Sequence, residues 1–301
     1  CGSTSEQSAL LLKQLYRTMR TMENRVGGGE GVEGIYGSIT ETGVSKIMNA
    51  LAEFGGMGAS STLVDVGAGL GRPLLHALCA HGVAGAWGIE VDPVKVQKAE
   101  VFMKKTLEVL SATGLAGGTG PAAAALASGE SPRLDCSSIE AMDSLSPATH
   151  VYSFWEGIPS VAKQALGTLF SQSETCQAIA VVQRALRNRD HVDYFNELGF
   201  DDVQVVKDFP VTMSGSGRTF RAYIIRKNGV SGAVGADLDL GSAQPVEGAA
   251  EQGKPSSGAE AKRKGGLKSA KLRKKSASVL PFKKIKKYAR SKHKVKISST
   301  P

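Results

Sequence analysis

Cysteine is scarce in this chain of 301 residues: four, at Cys1, Cys79, Cys136 and Cys176, with no C-x-x-C pair. That spacing excludes a disulfide scaffold. With only five histidines, none at ligand spacing to a cysteine, it also excludes a structural zinc site. No metal is expected, and the free thiols read as those of a protein in a reducing compartment. No run of 18 or more apolar residues is present; the nearest, 74–91, is interrupted by His76, His81 and several glycines. It reads as buried helix, turn and strand, not as a membrane span. No fixed-period repeat is visible, which excludes a solenoid. Acidic residues are missing altogether from 261–301, a stretch with 16 Lys and Arg.

That last absence explains the charge of the whole. The formal net charge is +9, but residues 1–260 carry 28 acidic and 21 basic residues, so an acidic body is joined to a basic tail. A uniformly basic nucleic-acid module is excluded.

Periodicity divides the chain into an N-terminal helix and Gly-rich linker (1–29), a folded domain (30–227) and a tail (228–301). Residues 5–24 have helical spacing and end at the run Gly27-Gly28-Gly29. A second helix spans 40–54, with Thr40 or Thr42 as its cap. Then follow a strand at 62–66, a Gly-rich turn, the helix-like RPLLHALCAHG, a strand at 86–90 and a helix over 93–110. This is a βαβ unit, which implies a parallel sheet. Strands are expected at 133–136, 150–154 and 178–182, with helices near 158–169 and 190–198. Two extended runs, 203–209 and 218–226, are separated by Ser214-Gly215-Ser216-Gly217 and form an antiparallel hairpin. Residues 111–132 are Gly/Ala-rich without periodicity and read as a flexible insertion. Beyond Lys227 the composition is that of a disordered segment.

The strongest chemical signal is Asp65-Val-Gly67-Ala-Gly69-Leu-Gly71 between a strand and a helix. Glycines at this turn let a nucleotide-sized ligand lie against the backbone. Glu90 ends the next strand, 19 residues after Gly71, where an acid accepts hydrogen bonds from both ribose hydroxyls. No Lys-Ser/Thr follows the glycines, which excludes a Walker-type P-loop. Asp65 would repel a pyrophosphate and suits the ammonium of S-adenosylmethionine. The expected cofactor is therefore S-adenosyl-L-methionine, with NAD(P) and a ligand-free turn as alternatives. The expected fold is α/β: a class I (Rossmann-like) methyltransferase domain with a seven-stranded, mostly parallel sheet and a C-terminal antiparallel hairpin.

Tyr36-Gly37-Ser38-Ile39-Thr40, VDVGAGLGR and WGIEVDPVKVQKAEVFMKK together resemble the disruptor-of-telomeric-silencing (DOT-type) histone methyltransferases. The resemblance covers roughly 35–226. It implies methylation of lysine 79 of histone H3 on nucleosomes, and with that a chromatin regulator in the nucleus. It also implies that the Tyr36…Thr40 loop closes over the methionine end of the cofactor. Asp65, Gly67, Gly69 and Gly71 would line the methionine and ribose, Glu90 would hold the ribose hydroxyls, and Asp135 would meet the adenine amino group. Tyr36, Phe154 and Trp155 would be walls of an apolar lysine channel. Three departures mark the acceptor side. The family's Asn-Asn-Phe is Tyr152-Ser153-Phe154 here, its hairpin Trp has no counterpart near 213–219, and Arg72 replaces an amide. Other readings are a methyltransferase for another protein or for RNA, or an inactive chromatin-binding fold.

His76 and His81 are expected to be packing or surface residues, and Cys79 a small core residue. The basic clusters of 261–301 are expected to hold DNA or the nucleosome. A nuclear-import signal and an anionic membrane surface are the weaker alternatives, and no membrane partner is expected.

Overall fold

The structure, a computed structural model, describes residues 2–26, 38–113 and 131–230. The chain divides into two units, Cys1–Leu240 and Gly241–Pro301, and every described residue belongs to the first. The expectations for the tail, for Tyr36 and for most of the 111–132 insertion lie outside the described residues.

Helix α1 (Gly2–Val26) buries Leu11, Leu15, Tyr16, Met19 and Met22, a stripe at helical spacing. Helix α2 (Glu41–Gly55) starts where the Thr40 hydroxyl accepts from the Gly43 N–H at 3.2 Å, and it stops at Gly56 in the left-handed conformation. Strand β1 (Thr62–Val66) runs into the Gly-rich turn and α3 (Arg72–His76). The continuous helix expected after the turn is instead one turn of α3 followed by a π-helical turn, Ala77–His81.

Strand β2 (Gly85–Glu90) leads to α4 (Pro93–Ala112). There Asp92 caps through the Val94 N–H, and Pro93 occupies the first turn, where no donor is lost. Next come β3 (Arg133–Cys136), β4 (His150–Phe154), α5 (Ser160–Gln172), β5 (Ala178–Gln183), α6 (His191–Asn196), β6 (Val203–Thr212) and β7 (Thr219–Lys227). Helix α5 begins two residues later than expected because Pro159 is its N-cap. Strand β6 runs three residues past the expected 209, through Pro210. Proline is tolerated there because β6 is an edge strand.

The sheet order is β3-β2-β1-β4-β5-β7-β6, with β7 antiparallel to both neighbours and all other pairs parallel. This is the class I methyltransferase sheet expected from the sequence. Each face carries its own core. One packs α1 to α4 against Leu63, Ala180 and Ile224, and the other packs α5 and α6 against Val151, Val181 and Tyr223. Strand order reverses direction between β1 and β4, so a crevice opens at their C-terminal ends.

Candidate active site

The turn after β1 is held by its own backbone. The N–H groups of Gly67 and Ala68 both donate to the Ile89 carbonyl, at 2.9 and 3.0 Å, and Gly71 N–H donates to Ala68 O at 2.8 Å. Gly71 has φ +76, and a Cβ there would lie 2.4 Å from Met103 Sδ on α4. Glycine is thus demanded twice at this position, by conformation and by the close packing of helix on turn.

Glu90 is buried, and its carboxylate organises the turn. One oxygen accepts from Gly69 N–H at 3.0 Å, the other from Asp92 N–H at 3.1 Å. Each carboxylate oxygen still has a lone pair to offer a ligand. Asp65 is the opposite case. It is 2% exposed, and its Oδ1 has no hydrogen-bond partner among the described residues. Burial pushes its carboxyl well above the usual range, and the nearby Glu90 charge adds to the rise.

Both acids line a cavity of about 780 Å³, of a size typical of small-molecule sites. Its walls include Val66–Leu70, Arg72 and Ile89–Val91, with Ser137–Glu140 after β3, Tyr152, Phe154 and Glu156–Pro159 after β4, and Ser214 and Gly215 in the β6–β7 turn. Ser38 and Ile39 reach it because the chain entering α2 is stitched to the hairpin end: Thr40 N–H donates to Thr212 O and Ser214 N–H to Ser38 O, at 2.9 and 2.7 Å.

Helix α1 supplies Glu23 and Asn24, a contribution the sequence reading missed. Glu23 pairs with Arg72 at 3.0 Å, and the Arg72 guanidinium sits 5.6 Å from the Tyr16 ring centroid. The Tyr16 hydroxyl is hydrogen-bonded to His76 Nδ1 at 2.9 Å. Burial, with His81 nearby, lowers the His76 pKa to about 3, so this imidazole is neutral and structural, as expected. Cys79 is buried beside it, its thiol pushed up to about 12 by burial.

The structure brings Asp65, Gly67, Gly69, Glu90 and Phe154 to one cavity. It does not bring Trp155 there. Side chains alternate along a strand, so Tyr152 and Phe154 share one face of β4, and Val151, Ser153 and Trp155 the other. Trp155 is 2% exposed and packs with Phe195 and Phe200 in the opposite core. Asp135 is also outside the cavity. It shares a face of β3 with Arg133, which binds its carboxylate at 2.9 Å and lies over the Trp87 ring. The segment Ser137–Glu140 takes the wall position expected of Asp135. Thr40 acts as the α2 cap, and Gly71 shapes the turn from behind.

No family model and no curated protein matches the chain. Among solved structures it is similar to magnesium protoporphyrin IX methyltransferase from Synechocystis PCC 6803 with bound SAM (S-adenosylmethionine), at 14% identity over 73% of this chain and 97% of that one, TM-score 0.44. It is also similar to the M1A22 tRNA methyltransferase of B. subtilis, at 10% identity over 62% and 65%, TM-score 0.40. A third is an RNA methyltransferase from Salinibacter ruber in complex with S-adenosyl-L-homocysteine, at 18% identity over 64% and 96%, TM-score 0.36. These are likenesses of architecture, and the strand order of the chain itself defines the fold.

Proposed function

We propose that this protein is a SAM-dependent methyltransferase. The observation that carries the reading is the pair of carboxylates on one cavity wall: Glu90, held by two backbone N–H groups, and Asp65, buried with an unpartnered oxygen. A buried acid without a donor is costly, and a ligand ammonium at Asp65 Oδ1 removes that cost. Glu90 is placed to accept from two ribose hydroxyls, and the Gly67–Gly69 backbone leaves room beside them. The residues present therefore fit this cofactor, whose chemistry is a methyl group on a sulfonium sulfur.

The protein's part in methyl transfer is alignment and exclusion of water, since a neutral nucleophile attacks in line. Phe154 and Ile158 give the acceptor end an apolar wall, and Glu156 gives it a carboxylate. A lysine acceptor must first lose its proton, and an apolar wall favours the neutral amine.

The finer reading is a histone lysine acceptor, lysine 79 of histone H3 on nucleosomes, with 261–301 on DNA in the nucleus. It is supported by the DOT-type resemblance. A second reading, another protein or RNA as acceptor, is favoured by Trp155: of the two described aromatics expected in a lysine channel, Phe154 lines the cavity and Trp155 does not.

Labelled SAM offered with nucleosomes, free histones and RNA in separate reactions tests both levels. Label on any acceptor, lost in Gly69→Arg, supports the enzyme. Gly69 lies on the cavity wall with nothing within 4 Å of an added Cβ, so an arginine there meets no core side chain, although its φ of +54 adds local strain to the turn. Label that survives Gly69→Arg overturns the site assignment. Label on nucleosomes alone selects the lysine reading.

A further inference from the structure

Acidic residues outnumber basic ones 28 to 21 over 1–260, yet cations converge on the acceptor end of the cavity. Arg184, in the loop after β5, donates from Nε and Nη2 to the two oxygens of Glu156, at 3.2 and 2.6 Å. That bond, against an opposing desolvation and with help from the charges of Arg184, Arg218 and Lys163, holds the Glu156 carboxyl below its usual range. Arg184 therefore sits directly on a cavity-wall carboxylate, with the charges of Arg218 and Lys163 also felt there. Arg187 follows three residues after Arg184 and is exposed.

Both loops that carry these arginines are anchored. Leu186 N–H donates to the Tyr223 hydroxyl at 2.9 Å, and Met213 N–H to Arg218 O at 2.8 Å. Among the described residues neither Arg187 nor Arg218 enters an ion pair, whereas Arg189 is paired with Glu197. The loops after β5 and between β6 and β7 thus present Arg187 and Arg218 outside any ion pair among the described residues, beside Arg184, which neutralises Glu156. Guanidinium forks match phosphate oxygens bidentately. Just inside, Phe154 is half-buried on the cavity wall, its ring fixed edge-to-face against Phe220 at 5.0 Å. A basic rim beside an aromatic platform is the arrangement that holds single-stranded nucleic acid.

We infer that the acceptor end docks a single-stranded nucleic acid, with backbone phosphates on Arg187 and Arg218 and an unpaired base on Phe154. This rests on reading the cavity as a methyl-donor site, because among nucleic-acid bases an unpaired one reaches into such a cavity and a paired one does not. Duplex DNA would keep its bases out of reach and gain nothing from Phe154.

The test uses the full chain, tail included, so that the 261–301 charges are constant across variants. The probe is a mixed-sequence single-stranded RNA oligonucleotide, its binding followed by fluorescence anisotropy across a salt series. The double variant Arg187→Glu/Arg218→Glu should bind at least about tenfold more weakly. Its log K against log salt should be shallower by about 1.4, two single-strand phosphate contacts. Arg187→Lys/Arg218→Lys should keep most of the slope and so serves as the folded control. An unchanged slope in the Glu variant overturns the proposal, as does equal loss of binding to duplex DNA or to polyglutamate. Binding of labelled SAM is measured in parallel. RNA binding that depends on the arginines in a protein that binds no SAM leaves the docking surface standing and removes the enzyme reading. SAM binding with arginine-independent RNA binding does the reverse.

Discussion

At the donor end of the cavity the backbone supplies the shape. Two N–H groups converge on Ile89 O, two more converge on Glu90, and Gly71 closes the turn against Met103. At the acceptor end side chains supply it, from β4, from the loop after β5 and from the β6–β7 turn, which lie far apart in sequence. The contrast shows which kind of site a sequence announces. Backbone-built sites need particular residues at fixed short spacings, whereas side-chain-built sites depend on which way each strand residue points.

The largest expected effect separates two neighbours at the acceptor end. Trp155→Ala should destabilise the protein by about 3–5 kcal/mol in denaturant unfolding, the cost of a large cavity in the Phe195–Phe200 core. It should leave SAM affinity of the folded protein unchanged. Phe154→Leu should cost far less stability and act on acceptor KM. If Trp155→Ala instead raised acceptor KM without loss of stability, Trp155 would belong to the channel after all.

This pair also marks the limit of legibility. The βαβ unit, the hairpin and the Asp65–Gly71 turn with Glu90 were readable, because each is a local pattern with one backbone solution. The alternation of β4 was readable too. Adjacent strand residues face opposite ways, so Phe154 and Trp155 cannot both line one channel. Asp135 pairs with Arg133, two residues back on β3, and is not among the cavity-wall residues. The part played by Glu23 and Asn24 was not readable. It depends on how α1 packs, and only the Arg72 departure hinted that a new partner was needed there.

Next in size is the donor end. Glu90→Ala removes the acceptor of Gly69 and Asp92 N–H together with the ribose-binding carboxylate, and should weaken SAM binding about 100-fold by calorimetry, about 2.7 kcal/mol. Orphaning two backbone donors should also lower stability by about 1–3 kcal/mol each where water cannot reach them. Glu90→Gln keeps one acceptor and should fall between. An undiminished SAM affinity in Glu90→Ala would place the cofactor elsewhere.

Asp65 should respond with opposite signs in the free and bound protein. Its folded pKa is raised above the unfolded value by burial, so the folded state holds the proton more tightly. Stability is therefore fully present below the unfolded pKa and is lost as pH rises through the folded one. Asp65→Asn removes this loss: the free variant should gain on the wild type as pH rises across that window, then hold a constant advantage. SAM binding should move the other way. Wild-type affinity should strengthen as pH rises through the same window, with proton release seen in buffers of different ionisation enthalpy, and Asp65→Asn should bind at least about tenfold more weakly without that pH dependence. A variant that kept wild-type affinity would remove Asp65 from the ammonium site.

The smallest expected effect lies on β3, where two adjacent segments compete for one role. Asp135 is paired with exposed Arg133 on β3, while Ser137–Glu140 lie on the cavity wall. Asp135→Ala should change SAM affinity less than about twofold, and stability by no more than the 0–1 kcal/mol of a surface ion pair. Ser138→Trp, placed on the wall, should obstruct the cavity and weaken SAM binding more than Asp135→Ala does. Equilibrium dialysis with labelled SAM ranks the two directly. The reverse ranking would mean that Asp135 turns inward when the ligand arrives, and that the donor end, too, is finished by side chains.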